Sequence, residues 1–292
     1  MDTLSRIQQG LASALATTQG SLGGTAPPLL TAAMQHAVFA GGSRIRPRLC
    51  LAVASACSED QPQLTDAAAA AIELLHCASL VHDDLPCFDD AAVRRGKPTV
   101  HRAFGEPLAV LTGDALIVLA FQTLTRGGAA HPDRLSRLLL ILGSAVGAPG
   151  GIVAGQAWEC ESQVVLADYQ RAKTGALFAG VTMAGAAAAG RDPDAWRLMG
   201  EKIGEAYQVA DDIHDVTADP EEMGKPGGRD VALDRPSAAR ELGLEGAIAR
   251  FKLLVREAVQ AIPDCPGAAP LRAHMLAEAK RFLPEALSRR AA

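Results

Sequence analysis

Apolar residues recur at helical spacing through most of the chain, and no stretch of useful length alternates between apolar and polar positions. The period predicts helices over 29–39, 48–56, 65–84, 108–126, 133–146, 166–189, 195–216, 237–261 and 268–289, in all roughly ten helices. Gly/Pro-rich punctuation separates them at 18–28, 127–133, 148–151, 219–236 and 263–270. No break in composition marks a boundary, so residues 1–292 are expected to form one all-α domain, helix packed on helix.

Composition agrees. Of 292 residues, 49% are hydrophobic and 21% charged, enough apolar mass for a substantial core. Aromatics are 4%, and Ala and Leu supply most of the apolar side chains, which favours helices. The formal net charge of −5 argues against a nucleic-acid partner, which would call for a basic face. The N-terminal stretch has no apolar run behind a basic start and does not read as a secretory signal. The longest apolar runs, 138–148 and 181–190, are about half a membrane span, so no stable membrane insertion is expected. The 6 cysteines show no CxxC pair and are expected to be reduced and buried. These features predict a soluble cytoplasmic protein.

Two aspartate clusters carry the chemistry. Asp83, Asp84, Asp89 and Asp90 lie in VHDDLPCFDD, where an apolar helix ends in carboxylates at the end of its dipole that favours cations. Pro86 disfavours helix at Leu85, so the chain is expected to turn and bring Asp89 back towards Asp83. In QVADDIHD, the residues Gln208, Asp211, Asp212 and Asp215 fall at i, i+3, i+4 and i+7, one helical face. A solvated acidic helix end accounts for either cluster alone. Two clusters on apolar segments point instead to hard oxygen ligands for Mg²⁺. Cations beside glycine turns complete the picture: Arg44 and Arg46, Arg94, Arg95 and Lys97, Lys173, and Lys225 and Arg229. Together with the carboxylates they fit a phosphate ester held by metal and Arg/Lys. Each alone reads as a surface charge, and His76, which shares a face with Asp83, reads equally as a core histidine.

GGSRIRP (41–47), DDLPCFD (83–89), RRGKPT (94–99), GDA (113–115), GQ (155–156), KTG (173–175), QVADDIHD (208–215) and GK…GRD (224–230) together resemble the trans-isoprenyl diphosphate synthase family, in that family's order. The surrounding sequence looks closest to the geranylgeranyl diphosphate synthases of phototrophic, carotenoid-making bacteria. The resemblance implies an isoprenoid synthase fold, a helical bundle around a central cavity, and a homodimer. It assigns Asp83, Asp84, Asp89, Asp211, Asp212 and Asp215 to Mg²⁺, about three ions per site. Arg94, Lys173, Thr174, Gln208 and Lys225 match the allylic diphosphate side; Arg46, His76 and Arg95 match positions for isopentenyl diphosphate. Three departures stand out: Ser43 replaces a Lys, Glu159 replaces the usual Asp after GQ, and Arg235-Pro236-Ser237 replaces Lys-x-Thr, with Arg235 keeping a cation.

The implied reaction is head-to-tail prenyl transfer, with Asp83, Asp84, Asp89, Arg94, Lys173, Asp211 and Lys225 acting on the leaving group. Ala78 and Ser79, about one turn below Asp83, are small, which leaves room for a twenty-carbon product; close helix packing explains the same smallness. Farnesyl diphosphate synthesis, a class I terpene cyclase and a non-catalytic modulatory subunit stay open as alternatives. A cyclase wants aromatic walls, which 4% aromatics supply poorly, and a modulatory subunit has no need of intact Asp clusters.

Overall fold

The computed structural model describes residues 2–19, 26–217 and 237–283. The helices are α1 (Thr3–Ala16), α2 (Pro28–Val38), α3 (Ile45–Ala56), α4 (Pro62–Asp83), α5 (Val100–Phe104), α6 (Glu106–Gly128), α7 (Pro132–Val146) and α8 (Ile152–Ala157). They continue with α9 (Leu166–Gln170), a π-helical turn (Arg171–Gly175), α10 (Ala176–Ala188), α11 (Arg197–Thr217), α12 (Ala238–Gln260) and α13 (Ala268–Ala279).

The all-α expectation holds, with four differences. Helix α1 precedes the first predicted helix: Asp2 accepts a hydrogen bond from Ser5 N at 3.0 Å, and Ile7, Leu11, Ala14 and Leu15 are buried, with α1 packed on α4. Its apolar stripe is set among Gln, Ser and Thr, which masks the period. The short helices α5 and α8 were also not foreseen. A two-residue antiparallel hairpin, β1 (Val93–Arg94) and β2 (Lys97–Pro98), follows the first Asp cluster; it is too short to show alternation. The helix expected over 166–189 is broken by the π turn.

Helices α4 and α10 form the centre. α4 packs on α6, α3 and α1, and α10 on α3, α7 and α11. Every residue of α10 from Leu177 to Ala188 is buried. Ala and Gly make this possible, because backbones approach where side chains are small. A Cβ at Gly185 would stand 2.5 Å from Cys50 O, and one at Gly200 would stand 2.5 Å from Phe178 O. Burial pushes the thiols of Cys50 and Cys77 up to about 12, and that of Cys57 up to about 11. Cys87 and Cys160 are exposed, contrary to the expectation that all are buried; both lie in short connections rather than on core helices.

Two helices are apolar over longer windows than the uninterrupted runs at 138–148 and 181–190. By length and composition, α4 and α6 could each cross a membrane, because scattered small residues stretch their apolar windows. The window in α4 is 72% buried inside the protein, against 39% for α6.

A paired substitution checks the close-packing account. Gly185→Ala forces α10 away from the α3 backbone and should cost about 1–3 kcal/mol in urea denaturation. Gly143→Ala meets nothing within 4 Å and should stabilise by about 0.5–1 kcal/mol.

Candidate active site

Asp83 is the last residue of α4, and Asp84 caps it. The loop beyond folds back as its proline implied: Asp89 N donates to Asp83 O at 2.9 Å, and Ala91 N donates to Asp84 O at 3.2 Å. The β1–β2 hairpin then delivers Arg94. Its Nε donates to both oxygens of Asp84, at 2.7 and 2.9 Å, and its Nη2 to Asp83 Oδ2 at 3.3 Å. Two carboxylates at the negative end of a helix repel each other, and the guanidinium compensates both. Burial opposes the Arg94 charge, but Asp84, Asp83 and Asp89 outweigh it and hold its pKa above the ordinary value.

The second cluster lies on α11. One face is shared, yet the depths differ: Asp212 is buried, while Asp211 and Asp215 are exposed. Asp212 Oδ1 accepts from Gln208 Nε2 at 3.1 Å, and Oδ2 accepts from Ala238 N, at the start of α12, at 2.8 Å.

The π turn joins the clusters through adjacent residues. Lys173 Nζ donates to Glu159 and lies 3.5 Å from Asp83 Oδ1 on α4. Thr174 Oγ1 donates to Gln208 Oε1 on α11 at 3.0 Å. An inserted residue in a helix re-aims side chains, and such turns recur at functional sites. Gly155 permits it: a Cβ there would stand 2.4 Å from Lys173 N. Burial works against the Lys173 charge, yet Asp83, Tyr169 and Glu159 together hold its pKa above the ordinary value.

A second cationic group flanks α4. Arg46 Nη1 donates to His76 Nε2 at 3.2 Å, and its guanidinium stacks 4.7 Å from the Phe178 ring centroid and 5.5 Å from that of Tyr207. Burial, then Arg46, Arg95, Arg94 and Arg44, hold the His76 pKa well below the ordinary value, so its ring is neutral and accepts. Arg95 takes a left-handed φ of 54° in the hairpin turn and donates to Gly41 O at 2.7 Å. Gly42, at φ 109°, accommodates it: a Cβ there would stand 2.6 Å from Arg95 Cζ. Arg44, grouped with these cations from sequence, instead turns into the core. It donates to Glu73 and to Val38 O.

A polyprenyl synthetase family model matches residues 27–264. The chain belongs to the polyprenyl synthetase family. It is 53% identical over 285 residues to a geranylgeranyl diphosphate synthase of Cereibacter sphaeroides, covering 98% of each chain. It is also 53% identical over 248 residues to one of Rhodobacter capsulatus, covering 85% of this chain and 86% of that one. Among solved structures, a geranyltransferase from Helicobacter pylori complexed with magnesium and isoprenyl diphosphate superposes with a TM-score of 0.77. It shares 31% identity, with 95% of this chain and 97% of that one covered.

In this polyprenyl synthetase, the structure gathers Asp83, Asp84, Arg94 and Lys173 at one place and Thr174, Gln208 and Asp212 at another. Asp89 is tied to the first by its backbone. Arg46, His76 and Arg95 lie on the GGSRIRP side. Lys225, Arg229 and Arg235 lie outside the described residues. Ala78 is buried in the core, and Ser79, half-buried, donates to His76 O at 2.8 Å. Among the described residues, no three His, Cys, Asp or Glu side chains are close enough to hold a metal ion as they stand. Sequence reasoning missed Glu73, Gln156, Tyr169, Phe178 and Tyr207. Gln156, in GQ, was in view as a motif without a role; nothing local marked the others.

Two measurements test this arrangement. Arg94→Met leaves Asp84, 4% exposed, without its cation and should lower the unfolding free energy by about 3–5 kcal/mol. A loss below about 1 kcal/mol would contradict the compensation argument. His76 has a native pKa depressed below its unfolded value near 6.5, so the unfolded chain binds the extra proton. Stability should fall as the pH drops below about 6.5, and His76→Asn should lack that component.

Proposed function

We propose that the chain is a geranylgeranyl diphosphate synthase of the cytoplasm, acting as one domain over residues 1–292. It condenses isopentenyl diphosphate with allylic diphosphates, feeding carotenoid- and chlorophyll-type isoprenoids. The observation that carries the reading is the π turn, where Lys173 lies beside Asp83 on α4 and the adjacent Thr174 bonds Gln208, which in turn holds Asp212 on α11. The identity to curated synthases supports the same chemistry.

The donor set suits Mg²⁺. Carboxylate oxygens are its usual protein ligands, and Asp83 Oδ1 is buried with no hydrogen-bond partner among the described residues. Asp83, Asp84, Asp89, Asp211, Asp212 and Asp215 would supply the ligands. About three ions, when bound, would supply Lewis-acid stabilisation of the departing pyrophosphate. Arg94, Lys173 and Lys225 add positive charge around that leaving group. Arg46, Arg95 and neutral His76 grip isopentenyl diphosphate, whose double bond lies beside the allylic carbon. The allylic C–O bond breaks, the π electrons of isopentenyl diphosphate form the new C–C bond, and the lost proton passes to the released pyrophosphate. No protein base is required.

The exposed side of α6, with Val110, Leu111 and Val118 at the surface, is assigned to a second copy in a homodimer rather than to a membrane. The charge of the chain gives nucleic acid no role.

Asp83→Ala and Asp211→Ala should each reduce turnover by roughly 10²–10³-fold or more, and excess chelator should abolish it. Near-normal turnover in either case would sink the metal assignment. Chromatography of dephosphorylated products should give a twenty-carbon alcohol from the unmodified enzyme. Ala78→Tyr should shift it to fifteen carbons; an unchanged product would mean that Ala78 only packs.

A further inference from the structure

Lys173 lies between two carboxylates but does not serve them equally. Its ammonium donates to Glu159 Oε1, whereas Asp83 Oδ1 is 3.5 Å away, beyond a good hydrogen bond. Among the described residues, Asp83 Oδ1 consequently accepts no hydrogen bond, although it is buried. A buried carboxylate oxygen in that condition attracts a nearby cation, and the Lys173 ammonium is 3.5 Å from it.

Glu159 is itself held from both sides. Tyr169 Oη donates to Oε1 at 2.7 Å, and Gln156 Nε2 donates to Oε2 at 2.9 Å. Both donors are neutral, so they orient the carboxylate without competing for its charge. Gly155 and the π turn fix the Lys173 backbone against the same short helix. Three separate sequence features, GQ, Glu159 and KTG, therefore converge on the position of one ammonium.

We propose that Glu159 is a positioning residue that tethers the Lys173 ammonium away from Asp83, keeping Asp83 Oδ1 open to a divalent cation. Without the tether, Lys173 closes on Asp83 and competes with the metal for the same lone pair. The inference rests on the reading of Asp83 as a metal ligand. It gives Glu159 a role exerted through Lys173.

Glu159→Gln keeps the shape and removes the charge. The full-length variant should need roughly ten-fold more Mg²⁺ for half-maximal binding of inorganic pyrophosphate by calorimetry, and for half-maximal turnover. Its KM for isopentenyl diphosphate should stay within about two-fold. In a Lys173→Met background, which lacks the competing ammonium, Glu159→Gln should leave the Mg²⁺ requirement for pyrophosphate binding unchanged. If Glu159→Gln fails to fold, Tyr169→Phe, which loosens one support, should shift the Mg²⁺ requirement in the same direction by less. An unchanged Mg²⁺ requirement in Glu159→Gln overturns the proposal. So does an equal rise in the Lys173→Met background, which would mean that Glu159 acts on the metal directly. If unmodified enzyme works in excess chelator, the metal reading itself fails, separately from any effect of Glu159.

Discussion

Charge compensation at the end of α4 is the constraint on which the rest of the site depends. A long apolar helix ends in two adjacent carboxylates, at the end of its dipole that repels them. Burial makes the problem acute, because an unpaired charge away from water costs several kcal/mol. The chain answers with a hairpin that returns Arg94 to Asp83 and Asp84, and with a π turn that brings Lys173 near. Both cations are also suited to stabilising a departing pyrophosphate. The device that keeps the ligand-free site stable is thus the one that would act on the leaving group when metal takes over the carboxylates.

The architecture serves that arrangement. Small residues let α10 approach α3 and α11 at backbone distance, and the π turn that precedes α10 spans from Asp83 on α4 to Gln208 on α11. Among the described residues, non-glycine residues in left-handed conformation occur at Arg44, Ser58, Asp90 and Arg95, and all but Ser58 lie in segments that shape the site. Such conformations cost energy and persist where surrounding contacts over-determine them. Here those contacts include Arg44 on Glu73, Arg102 on Asp90 at 3.0 Å, and Arg95 on Gly41 O.

Much of this was legible in the sequence. Helical period located the main helices, the proline after DDL announced the return of Asp89, and i, i+4 spacing placed Gln208 beside Asp212. What periodicity cannot give is depth. Asp211 and Asp212 are neighbours on a helix, yet one is exposed and the other buried against the start of α12. Arg44 and Arg46 are two residues apart, yet one pairs with Glu73 in the core and the other stacks on Phe178. Such partners lie far along the chain, and a tertiary contact leaves no local signature. The π turn was hidden for a related reason, since one inserted residue does not disturb an apolar average taken over a long window.

The most direct measurement is diffraction from crystals grown with Mn²⁺ and a non-hydrolysable allylic diphosphate, using the anomalous signal to locate the metal. The account predicts Mn²⁺ bound to Asp83 on one side and Asp211 on the other. Arg94 and Lys173 should then contact the diphosphate oxygens. Metal bound elsewhere, with Arg94 still on Asp84 and no contact from Lys173 to the diphosphate, would contradict it.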